Sequence, residues 1–207
     1  MRKYILKYFL LIIFILLTAP ILAQKKGYSQ GYIINSEGET IEGWVKDRST
    51  GTFIELYTKI RFKGENRSYN GRYSASKIQG YGYNNQHFES MPLMEESQFF
   101  NFRYYLDDSY DRVFLKAITW TDELTYYHWE YVDGESNYLD YTPLFHRPGS
   151  SEMVRVTQGI LGLKRKKLAE YFRDCPELVQ AIEQKQLSQI DQVFSFYTER
   201  CVSEQVP

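Results

Sequence analysis

The hydrophobic period changes once along this chain, at Gly162, and that change limits the folds open to it. Before Gly162, apolar and polar residues alternate in short runs. After it, apolar residues recur every three or four positions. A period of two sends side chains to opposite faces of a strand, whereas a period near 3.6 gathers them on one side of a helix. The sequence therefore predicts an α+β fold. A mainly antiparallel β meander, closed as a barrel or folded as a sandwich, is followed by a small C-terminal helical segment. The aromatic content points the same way. Aromatic residues make up 17% of the chain and 19 of them are tyrosine, a residue that favours half-buried strand surfaces.

Residues 31–35 and 40–46 read as a hairpin about Gly38, a residue suited to a turn that needs positive φ. Short strands are expected at 53–57, 60–62, 80–83, 87–90 and 99–106, and the clearest long ones at 112–120 and 124–132. Residues 137–141 and 153–156 complete the set. Asn84-Asn85 and Asp133-Gly134 are tight-turn pairs. Residues 63–71 read as a polar loop, 74–78 as a short helical turn and 91–98 as irregular. Pro143 and residues 147–151 read as an exposed loop.

Three short helices are expected after Gly162. Their apolar positions are Leu161, Leu168 and Phe172, then Leu178, Val179 and Ile182, then Ile190, Val193, Phe194, Tyr197 and Cys201. Pro176 suits the first turn of the middle helix, and Ser188 with Asp191 resembles a capping box. Helices this short need tertiary packing to form.

The N-terminus has a different character. Arg2, Lys3 and Lys7 precede an apolar run at 8–17, and Ala23 offers a small residue before Gln24. This is the layout of a secretory signal peptide over residues 1–23, cleaved after Ala23. The run is shorter than the ~20 residues of a spanning helix, so no stable membrane span is expected after cleavage. The β domain then covers residues 24–158 and the helical segment 159–207. Cleavage takes Lys plus Arg from 25 to 22 against 26 acidic residues, leaving about −4. That balance gives no general attraction to nucleic acid.

Export to the periplasm or beyond places Cys175 and Cys201 in an oxidising compartment, where a disulfide is expected. Both lie in the helical part. A bond between them closes a loop of about 27 residues and stabilises by roughly 3–4 kcal/mol in the chain-entropy view.

Few constellations carry chemistry. His87, His128 and His146 have no metal-ligand spacing, and no metal or cofactor is expected. The acidic group Asp107, Asp108 and Asp111 reads as solvated turn residues. So does the group around Asp133 and Asp140, which fails the calcium-loop template. No catalytic residue is selected, because paired carboxylates could be drawn from any of 26 acids. Tyr127, Trp129 and Tyr131 share one strand face. They are the candidate ligand-binding residues if that face is open, and core if it is closed. Lys164-Arg165-Lys166-Lys167 reads as a solvated helical face.

The stretch Gly31-Tyr32-Ile33-Ile34-Asn35-Ser36-Glu37-Gly38-Glu39-Thr40-Ile41-Glu42-Gly43-Trp44-Val45 resembles a recurring start of exported proteins from Bacteroidetes-type bacteria. The C-terminal Asp174-Cys175-Pro176 with Phe196-Tyr197 before Cys201 is similar to the same group. These motifs are structural, and the resemblance implies an envelope location. The expected function is that of a non-catalytic envelope protein binding an envelope protein or glycan through its β domain. The alternatives are a hydrolase acting on an envelope polymer and an accessory subunit of a surface assembly.

Overall fold

The alternating runs pair into one continuous antiparallel sheet. The structure is a computed structural model that describes residues 26–49, 57–98, 101–134, 138–157 and 159–202. Its strands are β1 (Ser29–Ile34), β2 (Thr40–Lys46), β3 (Lys59–Gly64), β4 (Gly71–Ser74), β5 (Gly80–Tyr83) and β6 (Gln86–Gln98). Then come β7 (Asn101–Leu106), β8 (Arg112–Trp120), β9 (Thr125–Val132), β10 (Leu139–His146) and β11 (Glu152–Arg155). The sheet order is β4-β3-β2-β1-β5-β6-β7-β11-β10-β9-β8, and β8 pairs back onto β6. That last pairing closes a six-stranded barrel, β6-β7-β11-β10-β9-β8, and leaves β4-β3-β2-β1-β5 as an extension. The fold is α+β, mostly antiparallel β with a small helical end, and between barrel and sandwich it is the barrel.

The long strand β6 makes this possible. One edge pairs with β8 through residues 87–92. The other edge pairs first with β5 through residues 86–89 and then with β7 through residues 93–98. Residues 91–98, expected to be irregular, thus continue the strand. Pro92 sits opposite Arg112, near where β6 passes from one set of partners to the next. The mixed surroundings of the two halves hide the period in the sequence.

Three cores follow from the two faces of the wall. Leu93, Tyr104, Leu115, Tyr127, Leu144 and Met153 fill the barrel interior. Phe88 and Phe114 point outwards and meet Ile33, Val45, Ile60, Phe62 and Tyr81 of the extension. Tyr126, Phe145 and Val154 also point outwards and meet the helices. β10 is therefore covered on both sides. Its residues 142–146 are all buried, and Pro143, expected in a loop, lies in the strand opposite His128. A strand buried on both faces loses its alternation, which is why this one was obscured.

The helical end has the expected three helices, α1 (Arg165–Tyr171), α2 (Pro176–Glu183) and α3 (Ile190–Phe196), the last running on through a π turn to Cys201. Pro176 occupies the first turn of α2. The capping of α3 is shifted by one residue from the expected Ser188–Asp191 pair. Gln189 is the cap, and Gln192 Oε1 accepts the backbone N–H groups of Ser188 and Gln189. Leu161 is exposed rather than part of a stripe. Cys175 and Cys201 form a disulfide with Cα atoms 5.6 Å apart, tying the start of α2 to the end of the π turn that follows α3. Arg165 departs from a solvated basic face, because its guanidinium donates to the Ile182 and Leu187 carbonyls and finishes α2. Residues 74–78 form a strand end and a turn, and 67–69 make a short 3-10 helix within the expected loop. The expected strand at 53–57 and the signal peptide lie largely or wholly outside the described residues, as do Phe99 and Phe100. No helix among the described residues is long and apolar enough to cross a membrane.

Candidate functional site

The candidate site grows from one register. Tyr32 of β1 lies opposite Gly82 of β5, and Gly82 lies opposite His87 of β6. Ile33, Tyr81 and Phe88 turn to the core of the extension, so Tyr32 and His87 share the other face. Gly82 has no side chain, and the Tyr32 ring lies over it. A Cβ there would stand 2.6 Å from the Tyr32 Cζ and hydroxyl atoms. Glycine is thus needed for close approach rather than for an unusual φ. Across this gap the Tyr32 hydroxyl reaches His87 Nδ1 at 2.8 Å.

The chain of polar contacts runs on. His87 Nε2 lies 3.4 Å from Glu89 Oε1, and the Tyr127 hydroxyl donates to Glu89 Oε2 at 2.6 Å. A carboxylate accepts only, so the proton on His87 belongs on Nε2 and Nδ1 accepts from Tyr32. Burial pushes the Glu89 carboxyl up. The hydrogen bonds from His87 and Tyr127, with the fields of His87 and His146, outweigh it and hold Glu89 below the usual range. Tyr32 is raised by burial and by the Glu42 and Glu89 charges. It therefore stays a protonated donor. His146 is buried, and its Nε2–H donates to the Ser150 carbonyl at 2.9 Å. Burial holds its pKa down despite that bond and the Glu89 charge.

Above these groups is an open groove of about 770 Å³. Glu42, Asn84, Asn85 and Gln86 line it beside Tyr32, His87 and Glu89, and Trp120 forms one wall. Trp120 is 58% exposed, and its ring centroid is 6.2 Å from that of His87. Asn84 and Asn85 both have positive φ, 48° and 60°, which makes the tight β5–β6 turn and brings their amides to the rim. The site thus has an exposed indole ring, several planar amides, and a fixed row of donors and acceptors. Such a surface suits a ligand with one apolar face and many hydroxyls.

Compared with family models, curated proteins and solved structures, the chain matches none.

Tyr127, Trp129 and Tyr131, the residues singled out in sequence, lie on the inward face of the barrel. Tyr127 is 2% exposed and touches the site only through Glu89. Trp129 is half-buried and meets Tyr104 edge-on at 6.2 Å. Tyr131 is half-buried, with its hydroxyl 3.4 Å from Asp140. The exposed aromatic wall is instead Trp120. Sequence reasoning missed Tyr32, His87, Glu89 and Trp120 as a group. A signal existed in His87-x-Glu89, a spacing that puts both side chains on one strand face, facing the side-chain-free Gly80-x-Gly82.

A second polar cluster joins the extension to the barrel. Arg48 is buried and donates to Glu130 Oε2 at 2.7 Å, with Tyr57 and Phe88 rings 4.7 and 5.1 Å from its Cζ. Asp47 accepts from the Tyr81 and Tyr83 hydroxyls at 2.6 and 2.7 Å. Among the described residues no buried side-chain N or O lacks a partner. This cluster is therefore satisfied internally and acts as a clasp. His128 stands apart, stacked on Tyr141 at 4.0 Å with Nε2 2.7 Å from the Tyr126 hydroxyl. Among the described residues no three His, Cys, Asp or Glu side chains group to hold a metal.

Proposed function

We propose that this is an exported cell-envelope protein that binds a saccharide in the Tyr32–Trp120 groove without cleaving it. The observation that carries the reading is the exposed Trp120 ring beside polar groups already fixed in place. A pyranose ring has an apolar C–H face to stack on an indole, and equatorial hydroxyls that match carboxylate, imidazole and amide partners. Fixed partners bind with less loss of entropy than mobile ones. Export is supported by the Cys175–Cys201 disulfide, a bond that persists in oxidising compartments. Hydrolysis of a glycan needs a carboxylic acid whose pKa is raised so that it can donate a proton. Both Glu89 oxygens are already held, by His87 and Tyr127, and its pKa is shifted the other way, so this residue is suited to accept hydrogen bonds rather than to donate a proton.

The test is titration of the purified protein with an oligosaccharide panel, followed by tryptophan fluorescence and calorimetry. Trp120→Ala is expected to weaken binding by about tenfold or more, from the loss of one stacking contact. Its thermal stability should change little, because the ring is mostly exposed. No saccharide binding, or equal binding by Trp120→Ala, overturns the reading.

A further inference from the structure

His87 and Glu89 line a second furrow as well as the groove. It lies further along β6, towards Arg112, and has a volume of about 630 Å³. Its charge differs. Glu89 lines both, but Glu42 joins it in the first groove, whereas Lys77 and Arg112 join it in the second. Arg112 is held in place, its Nε donating to Ser90 Oγ at 2.9 Å and its NH2 group to the Ser90 carbonyl at 2.6 Å. Its remaining nitrogen is 3.6 Å from the Asp108 carboxylate, which is 94% exposed and so offsets the charge weakly. Lys77 is exposed at the end of the turn after β4, where its backbone N–H bonds the Ser74 carbonyl. On β6 the furrow runs from His87 through Glu89 to Ser90, where the Arg112 guanidinium is bonded, three strand residues or roughly 10 Å. Added to the first groove, that is longer than one sugar ring.

We propose that the two depressions form one continuous furrow, and that its ligand is an oligosaccharide carrying a carboxylate. This rests on the saccharide reading of the first groove. A neutral ring stacks on Trp120, the chain crosses His87 and Glu89, and the carboxylate lies between Lys77 and the Arg112 guanidinium, whose charge Asp108 offsets only weakly. At that one place a singly charged carboxylate is favoured over a doubly charged group such as a phosphate monoester, because Glu89 and Asp108 are close to those cations.

The experiment uses matched pairs that differ in the carboxylate. One pair is chitotetraose and the same backbone with alternating N-acetylmuramic acid. The other is a methyl-esterified oligogalacturonate and its free acid. The carboxylated member of a pair is expected to bind about tenfold more tightly at low salt, the scale of one hydrogen bond to a charged group. That advantage should shrink with added salt, and Lys77→Glu should remove it while neutral binding persists. Equal affinity within both pairs, or a Lys77→Glu loss shared by both members, overturns the continuous furrow and leaves the Trp120 groove standing. Failure of every member to bind overturns both.

Discussion

At the scale of single residues, the histidines show how burial sets chemistry. Burial and the nearby Lys116 charge lower His128 to about 4, and burial lowers His146 in the same direction. An unfolded chain binds protons on these rings below about 6.5. The stability they contribute is therefore complete above that value, and it is lost as pH falls towards their folded pKa values. Glu89 acts in a lower window, because its folded pKa lies below the unfolded one and its contribution fades only as carboxylates protonate. The urea midpoint should hence begin to fall below about pH 6.5, and His128→Gln should flatten that fall. A midpoint constant from pH 7 to 4.5 in the wild type would contradict the assignment. None of this was legible in sequence, where His87, His128 and His146 looked alike. Their environments come from burial, which the strand pattern does not mark at single positions, with the Lys116 charge beside His128 and, for His87, from Tyr32, 55 residues away.

At the scale of elements, legibility followed the uniformity of the surroundings. α2 and α3 bury one side against one core, so Leu178, Ile182, Val193 and Phe194 kept their spacing and could be read. β6 and β10 face different surroundings along their length, and their patterns were broken or filled in. The helical end is the element whose integrity rests most on a covalent link. Its helices have seven or eight residues each, too few to persist alone. Besides the disulfide, Arg147 clasps it to the barrel, donating to Asp174 Oδ1 at 2.8 Å and to the Tyr171 carbonyl at 2.8 Å. Reduction, or Cys201→Ser, should lower stability by about 2–4 kcal/mol. Hydrogen exchange should rise first over residues 163–201, with the barrel strands retaining protection. Unchanged exchange after reduction would show that packing and Arg147 alone hold the segment.

At the scale of the molecule, extension and barrel share a wall. Phe88 belongs to the core of the extension, stacked 4.4 Å from Tyr81, while Leu93 of the same strand lies in the barrel. Arg48 of the extension is paired with Glu130 of the barrel across 82 residues of sequence. Detaching the extension would expose Phe88 and Phe114, each worth about 1.5–3 kcal/mol when buried, and would strip Glu130 of its buried partner. The two parts should therefore unfold together. Trp44 lies on β2 in the extension and Trp129 packs against the barrel interior, so each reports on one part. In variants keeping one tryptophan, Trp44→Phe/Trp120→Phe and Trp120→Phe/Trp129→Phe, the urea transitions should each keep their own reporter's signal and fall in one cooperative step. Each variant carries one half-buried substitution that the other lacks, at Trp44 or Trp129, so each fluorescence midpoint is compared with the far-ultraviolet dichroism midpoint of the same variant. Coincidence within each variant supports the shared wall. A Trp44 signal lost at lower urea than the dichroism of its own protein would show that the extension opens while the barrel stays closed.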